Sequence, residues 1–88
     1  MSAALLSLFD EFVAHASNEH KEWIERAVSL ARAMVEEGEA DIALENFCEN
    51  LAEWQCPINQ ELFAKLQQQA TALSVDAECV NALNKLLK

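Results

Sequence analysis

The sequence predicts an all-α fold, a compact bundle of four to five antiparallel helices, on three observations. Apolar residues recur at three- and four-residue spacings through successive segments, no segment alternates apolar and polar with period two, and the chain holds one glycine and one proline. With 88 residues, 52% of them hydrophobic, it is long enough for one core and too short for two, so residues 1–88 are expected to form a single helical domain.

The elements follow in order. Leu5, Leu8, Phe9, Phe12 and Val13 share one face, predicting a helix over roughly 2–16. Ser17 and Asn18 are candidate caps for a second helix over about 19–37, whose stripe of Trp23, Ile24, Ala27, Val28, Ala31, Met34 and Val35 is expected to be buried. Gly38, the only glycine, stands where a left-handed C-terminal cap is wanted. A third helix, about 40–55, directs Leu44, Phe47, Cys48, Leu51 and Trp54 inward, and Cys56-Pro57 is expected to stop it, because a residue before proline avoids helical geometry. Asn59 can cap a fourth helix running to about Leu73, with Leu62, Phe63, Leu66, Ala70 and Leu73 on its apolar side. After Ser74, Val75 and Asp76 a last helix presents Cys79, Val80, Leu83, Leu86 and Leu87. Connections of two to five residues favour antiparallel, up-and-down neighbours.

Charge is the most distinctive feature. The formal net charge is -9. Between Met34 and Ala64 stand eight acidic residues, Glu36, Glu37, Glu39, Asp41, Glu45, Glu49, Glu53 and Glu61, with no Lys or Arg among them. Glu45, Glu49 and Glu53 recur every fourth residue, so on a helix they line one face and repel one another. Ile42 projects from the middle of that flank, like an apolar anchor inside a charged rim. Acidic faces are commonly just solvated, and Ile42 could instead dock on a loop or on the first helix. A surface of this sign argues against direct binding of nucleic acid or an anionic membrane and favours a basic protein partner.

Chemistry-bearing motifs are sparse. His15 and His20 are five residues apart across a helix junction, which is wrong for a zinc-gripping i, i+4 pair, and they read as ordinary surface histidines. No G-x-S-x-G, phosphate loop or H-E-x-x-H occurs. The Glu45/Glu49/Glu53 ladder points outward without the Glu-x-x-His pairs of a bundle metal centre. Cys48, Cys56 and Cys79 are odd in number and lack C-x-x-C spacing, so they are expected to be reduced and mostly buried. No catalytic residue, metal or cofactor is expected. No secretory signal or membrane span is read in the chain, and the expected location is the cytoplasm.

The segment Gly38-Glu39-Ala40-Asp41-Ile42-Ala43-Leu44-Glu45-Asn46-Phe47-Cys48-Glu49-Asn50-Leu51-Ala52-Glu53-Trp54, followed by Pro57-Ile58, resembles the central motif of the MafI-type immunity proteins. These are small helical bacterial proteins encoded beside polymorphic or contact-dependent growth inhibition toxins. The chain departs from the pattern with Trp54 where tyrosine is more usual, and with Gln55-Cys56 where an acidic residue often precedes the proline. The resemblance implies a toxin inhibitor that binds the C-terminal domain of a cognate toxin, frequently a basic ribonuclease. The toxin-binding residues it suggests, together with the charge pattern, are Glu37, Glu39, Asp41, Ile42, Glu45, Glu49, Glu53 and Trp54. Asn46 and Asn50 fall in the same motif and read as structural. Two other classes stay open: an acidic helical adaptor or DNA-mimicking regulator, and a bundle that self-associates through Leu83, Leu86 and Leu87. The expected state is a monomer or weak dimer.

Overall fold

The computed structural model describes residues 2–87. They form α1 (Ala3–His15), α2 (Lys21–Glu36), α3 (Ala40–Glu53), α4 (Gln60–Ala72) and a short α5 (Ala77–Asn81) that runs into a 3₁₀ segment, Ala82–Leu86. The all-α class therefore holds. The β pairing among the described residues is one isolated parallel bridge between Ile58 and Leu87.

The core is built around α3, which packs on α2, α4, α5 and the 3₁₀ segment. Ala43, Leu44, Phe47, Cys48 and Leu51 form its buried stripe. Phe47 is fully enclosed and meets two rings of α1, Phe9 at a centroid separation of 4.8 Å and Phe12 edge-on at 4.9 Å. Such pairs add about 0.5–1.5 kcal/mol beyond the area they bury. Leu66 of α4, Val80 of α5 and Leu83 of the 3₁₀ segment complete the interior. No polar or charged side chain is buried among the described residues. Lys65 joins α4 to α1 through Glu11, at 2.7 Å, and also reaches Glu61 at 3.6 Å. The hydrogen bond to Glu11 raises its pKa. Arg32 similarly ties α2 to Asp10 of α1.

Three helices end in the same way. At Gly38 (φ +81°), Gln55 (φ 50°) and Ser74 (φ 58°) the chain enters left-handed geometry. Behind each, a 6→1 backbone bond closes the end: Glu39 to Met34 at 2.9 Å, Cys56 to Leu51 at 3.0 Å and Val75 to Ala70 at 2.8 Å. These are Schellman caps, which satisfy the terminal carbonyls of each helix. Only at Gly38 does the residue suit the geometry without a Cβ penalty. The α3 stop expected from Cys56-Pro57 is thus made one residue earlier, by Gln55.

Other expectations need correction. Ser17 and Asn18 do not cap α2. The cap position falls on His20, with no side-chain cap bond, because residues 18–20 turn first and the His20 amide bonds the Ser17 carbonyl at 3.0 Å. Trp23 is 42% exposed and lies at the edge of the α2 stripe, outside the core. Trp54 is half-buried. The α3–α4 connection spans six residues, 54–59. The last helix gives way to 3₁₀ geometry after Asn81, with Leu86 and Leu87 only half-buried. Asn59 caps α4 as expected, its Oδ1 accepting from the Leu62 amide at 2.8 Å.

Replacing Phe47 by Ala is expected to cost about 3–5 kcal/mol in urea unfolding, and Trp23→Ala clearly less, because much of that ring is already in water. Gln55→Gly is expected to raise stability by about 1 kcal/mol in the same assay, by removing the Cβ strain of left-handed geometry.

Candidate functional site

The α2–α3 pair carries the acidic surface. The pair is antiparallel: three residues, Glu37–Glu39, connect the helices, and Trp23 near the start of α2 packs at a tilt against Trp54 just past the end of α3, with centroids 5.0 Å apart. The Arg26 guanidinium lies 5.5 Å from the Trp23 ring centre and covers it further. This cluster pins the open ends of the two helices together, as the Gly38 turn pins the closed ends. Asn50 donates from Nδ2 to Asn46 Oδ1 at 3.3 Å, one turn back along α3, a local structural contact.

On α3 the burial pattern decides which face looks outward. Leu44, Phe47, Cys48 and Leu51 are enclosed. Ile42, Glu49 and Glu53 project within about 40° of one another on the opposite side, and Ile42 is 44% exposed. Glu37, Glu39, Asp41 and Glu45 are exposed as well. Among the described residues no cation stands within ion-pair distance of Glu36, Glu37, Glu39, Asp41, Glu45, Glu49 or Glu53. Glu61, the remaining carboxylate of the cation-free stretch, is the one that pairs, with Lys65.

Asp41 has a local role too. It lies in the first turn of α3 and accepts from the Ile42 amide at 2.9 Å, where a negative charge also opposes the helix dipole favourably. Glu45, Glu49 and Glu53 have no such return. Spaced one turn apart, they destabilise α3 by about 0.2–0.5 kcal/mol per adjacent pair.

The structure gathers all the sequence-predicted residues on one helical hairpin, with Trp54 at its end as a partly covered ring. It adds two that sequence reasoning missed. The large apolar side chains exposed among the described residues are Trp23, Leu30 and Ile42, and all belong to this pair. Leu30, at 48% exposure, lies two turns along from Trp23 on the same side of α2. The available signal was that Leu30 falls off the buried α2 stripe, an apolar residue without a core reason to be there.

The thiols belong to the interior: Cys48 and Cys56 are buried and Cys79 is half-buried. Burial, followed by the charge and hydrogen bond of the adjacent Cys79 thiol, pushes the Cys48 pKa up. Desolvation likewise raises Cys56 and Cys79. A thiol held protonated is a poor nucleophile. No three His, Cys, Asp or Glu side chains gather at metal-binding distance among the described residues, and no helix there is long and apolar enough to cross a membrane. The arrangement suits recognition of a surface: aliphatic and aromatic anchors surrounded by fixed negative charge.

Glu49→Lys is expected to stabilise the folded chain by roughly 1 kcal/mol in thermal or urea unfolding, since two repulsive pairs become attractive ones. A loss of stability would show that Glu49 makes a structural contribution. No protein-family model, curated protein sequence or solved structure matches the chain, so the site rests on its own geometry.

Proposed function

We propose that the chain is an immunity-type inhibitor that binds a cognate basic toxin domain, a ribonuclease being the expected class, through the α2–α3 hairpin. The observation that carries this reading is a helix whose carboxylates have no ion-pair partner among the described residues, set around an exposed aliphatic residue, with destabilising charge spacing that the fold does not require. Charge kept against the interest of stability calls for a use, and attraction of a basic partner supplies one.

The physical match is direct. An enzyme acting on RNA surrounds its active site with Lys and Arg to hold phosphates. A rigid helix carrying carboxylates one turn apart can overlie such a cleft and neutralise it, and the inhibitor needs no reactive group of its own. Desolvating every carboxylate would cost more than the pairing returns, so Glu45, Glu49 and Glu53 act best at a wet rim. Ile42, Leu30 and the Trp23–Trp54 pair then supply the dry contacts that slow dissociation.

The test is survival of a bacterial host expressing the C-terminal domain of the protein encoded immediately upstream, with this chain supplied either as wild type or with Glu45, Glu49 and Glu53 all changed to Lys. The expected result is rescue by wild type alone, with circular dichroism showing the triple variant folded. Rescue by neither form would reject the reading, and rescue by both would move the interface off α3. With purified partners the association rate is expected to fall about tenfold or more between low and physiological ionic strength, while dissociation changes little. A rate indifferent to salt would remove the electrostatic component.

A further inference from the structure

Away from the acidic face lies a cavity of about 120 Å³, lined from three directions. The end of α1 supplies Phe12 and His15, the α1–α2 connection and first turn of α2 supply Ser17, His20 and Ile24, and the segment entering α4 supplies Ile58, Asn59 and Leu62. Phe12, Ile24, Ile58 and Leu62 are buried and form an apolar floor, while the four polar side chains stand around the mouth.

The polar set is unusual for this chain. The sequence contains two histidines and 15 acidic residues. Both histidines line this cavity and none of the carboxylates does. The nearest carboxylate to His20 is exposed Glu19, whose Oε1 lies 3.9 Å from the imidazole Nε2.

Each of these polar groups can donate a hydrogen bond. Ser17 Oγ and His20 Nδ1 are 3.2 Å apart. When His20 carries both ring protons, Nδ1 donates to Ser17 and frees the hydroxyl hydrogen for a ligand. Asn59 spends its Oδ1 on the cap of α4, leaving the amide Nδ2 as donor. The N-termini of α2 and α4 both open here with their positive dipole ends; the first turn of α2 has no side-chain cap, and the exposed Glu22 and Glu61 of the two first turns stand outside the lining. The C-terminal end of α1 opposes those dipole ends, offset by His15 in its last turn.

We infer that this cavity binds a small free monocarboxylate with a short branched or straight aliphatic tail, the carboxylate held by His15, His20, Ser17 and Asn59 and the tail on Phe12, Ile24, Ile58 and Leu62. Size sets the limit. The volume is somewhat below the ~150 Å³ that admits benzene in an apolar cavity, so the ligand has at most about six heavy atoms. Sign sets the pH dependence. An imidazole that carries both ring protons donates from both nitrogens and is cationic, so an anion at this mouth favours it, and binding takes up protons and tightens on acidification.

The experiment is an NMR titration of the full chain, following the amides and the histidine ring resonances at about pH 5.5 and about pH 7.5. The probe is sodium isobutyrate, with isobutanol as a neutral molecule of the same shape and inorganic phosphate as an anion without a tail. Saturable shifts confined to the cavity residues are expected with isobutyrate, with affinity about tenfold higher at the lower pH. His20→Gln and His15→Gln, each retaining the wild-type thermal midpoint, are each expected to weaken that pH dependence, and the double variant to abolish it. Absence of saturation with isobutyrate, equal shifts with isobutanol, equal affinity for phosphate, or unchanged binding in both variants would each overturn the inference. Because the acidic residues of α3 lie outside the cavity, the result is independent of toxin neutralisation.

Discussion

Phe47 carries two demands at once. Its ring, enclosed between Phe9 and Phe12, fixes the rotation of α3 about its own axis as well as its position against α1. That rotation decides everything about the outer face. With Leu44, Phe47, Cys48 and Leu51 locked inward, Ile42, Glu49 and Glu53 have no option but to point to solvent. A rotation of α3 that brought carboxylates into the core would desolvate them without partners, at a cost of several kcal/mol each. The aromatic contact and the acidic ladder therefore enforce one another: one side of the helix is too apolar to leave, the other too charged to enter.

The helix ends complete that constraint. A left-handed residue and a 6→1 bond terminate α2, α3 and α4 sharply, keeping the intervening connections short or tightly directed. Because α2 and α3 are joined by three residues at one end and by a pair of packed tryptophans at the other, the hairpin presents its exposed side chains as a preorganised set. A surface held this way loses little conformational freedom on binding, which favours affinity without adding contacts.

Much of this was legible from residue order. Asn59 before an apolar run, Gly38 after one, and the i, i+3, i+4 recurrence of Leu44, Phe47, Cys48 and Leu51 each have a single economical interpretation, and the structure agrees with it. The outward placement of Ile42 among carboxylates followed from the same wheel. Trp23 misled because an aromatic at the margin of a stripe counts as apolar in a pattern, whereas only the partner helix decides whether it is covered. The 3₁₀ ending was present as the strict three-residue spacing of Val80, Leu83 and Leu86, a period shared by the edge of an α-helical stripe. The histidine-lined cavity had no local signature, since its walls come from residues 12–24 and 57–62 and only folding brings them together.

The bridge between Ile58 and Leu87 bears on how the chain is made. The Ile58 amide is held by the Leu86 carbonyl at 3.1 Å, so the segment entering α4 takes its backbone partner from residues synthesised almost thirty positions later. The residues of α1, α2 and α3, Phe47 among them, all precede that partner in the chain. The α3–α4 connection stays without that partner until residue 87 has cleared the ribosome. The hairpin that bears the negative charge is thus complete in sequence before the bundle can close, and a net charge of -9 opposes association of like chains while apolar surface awaits its cover.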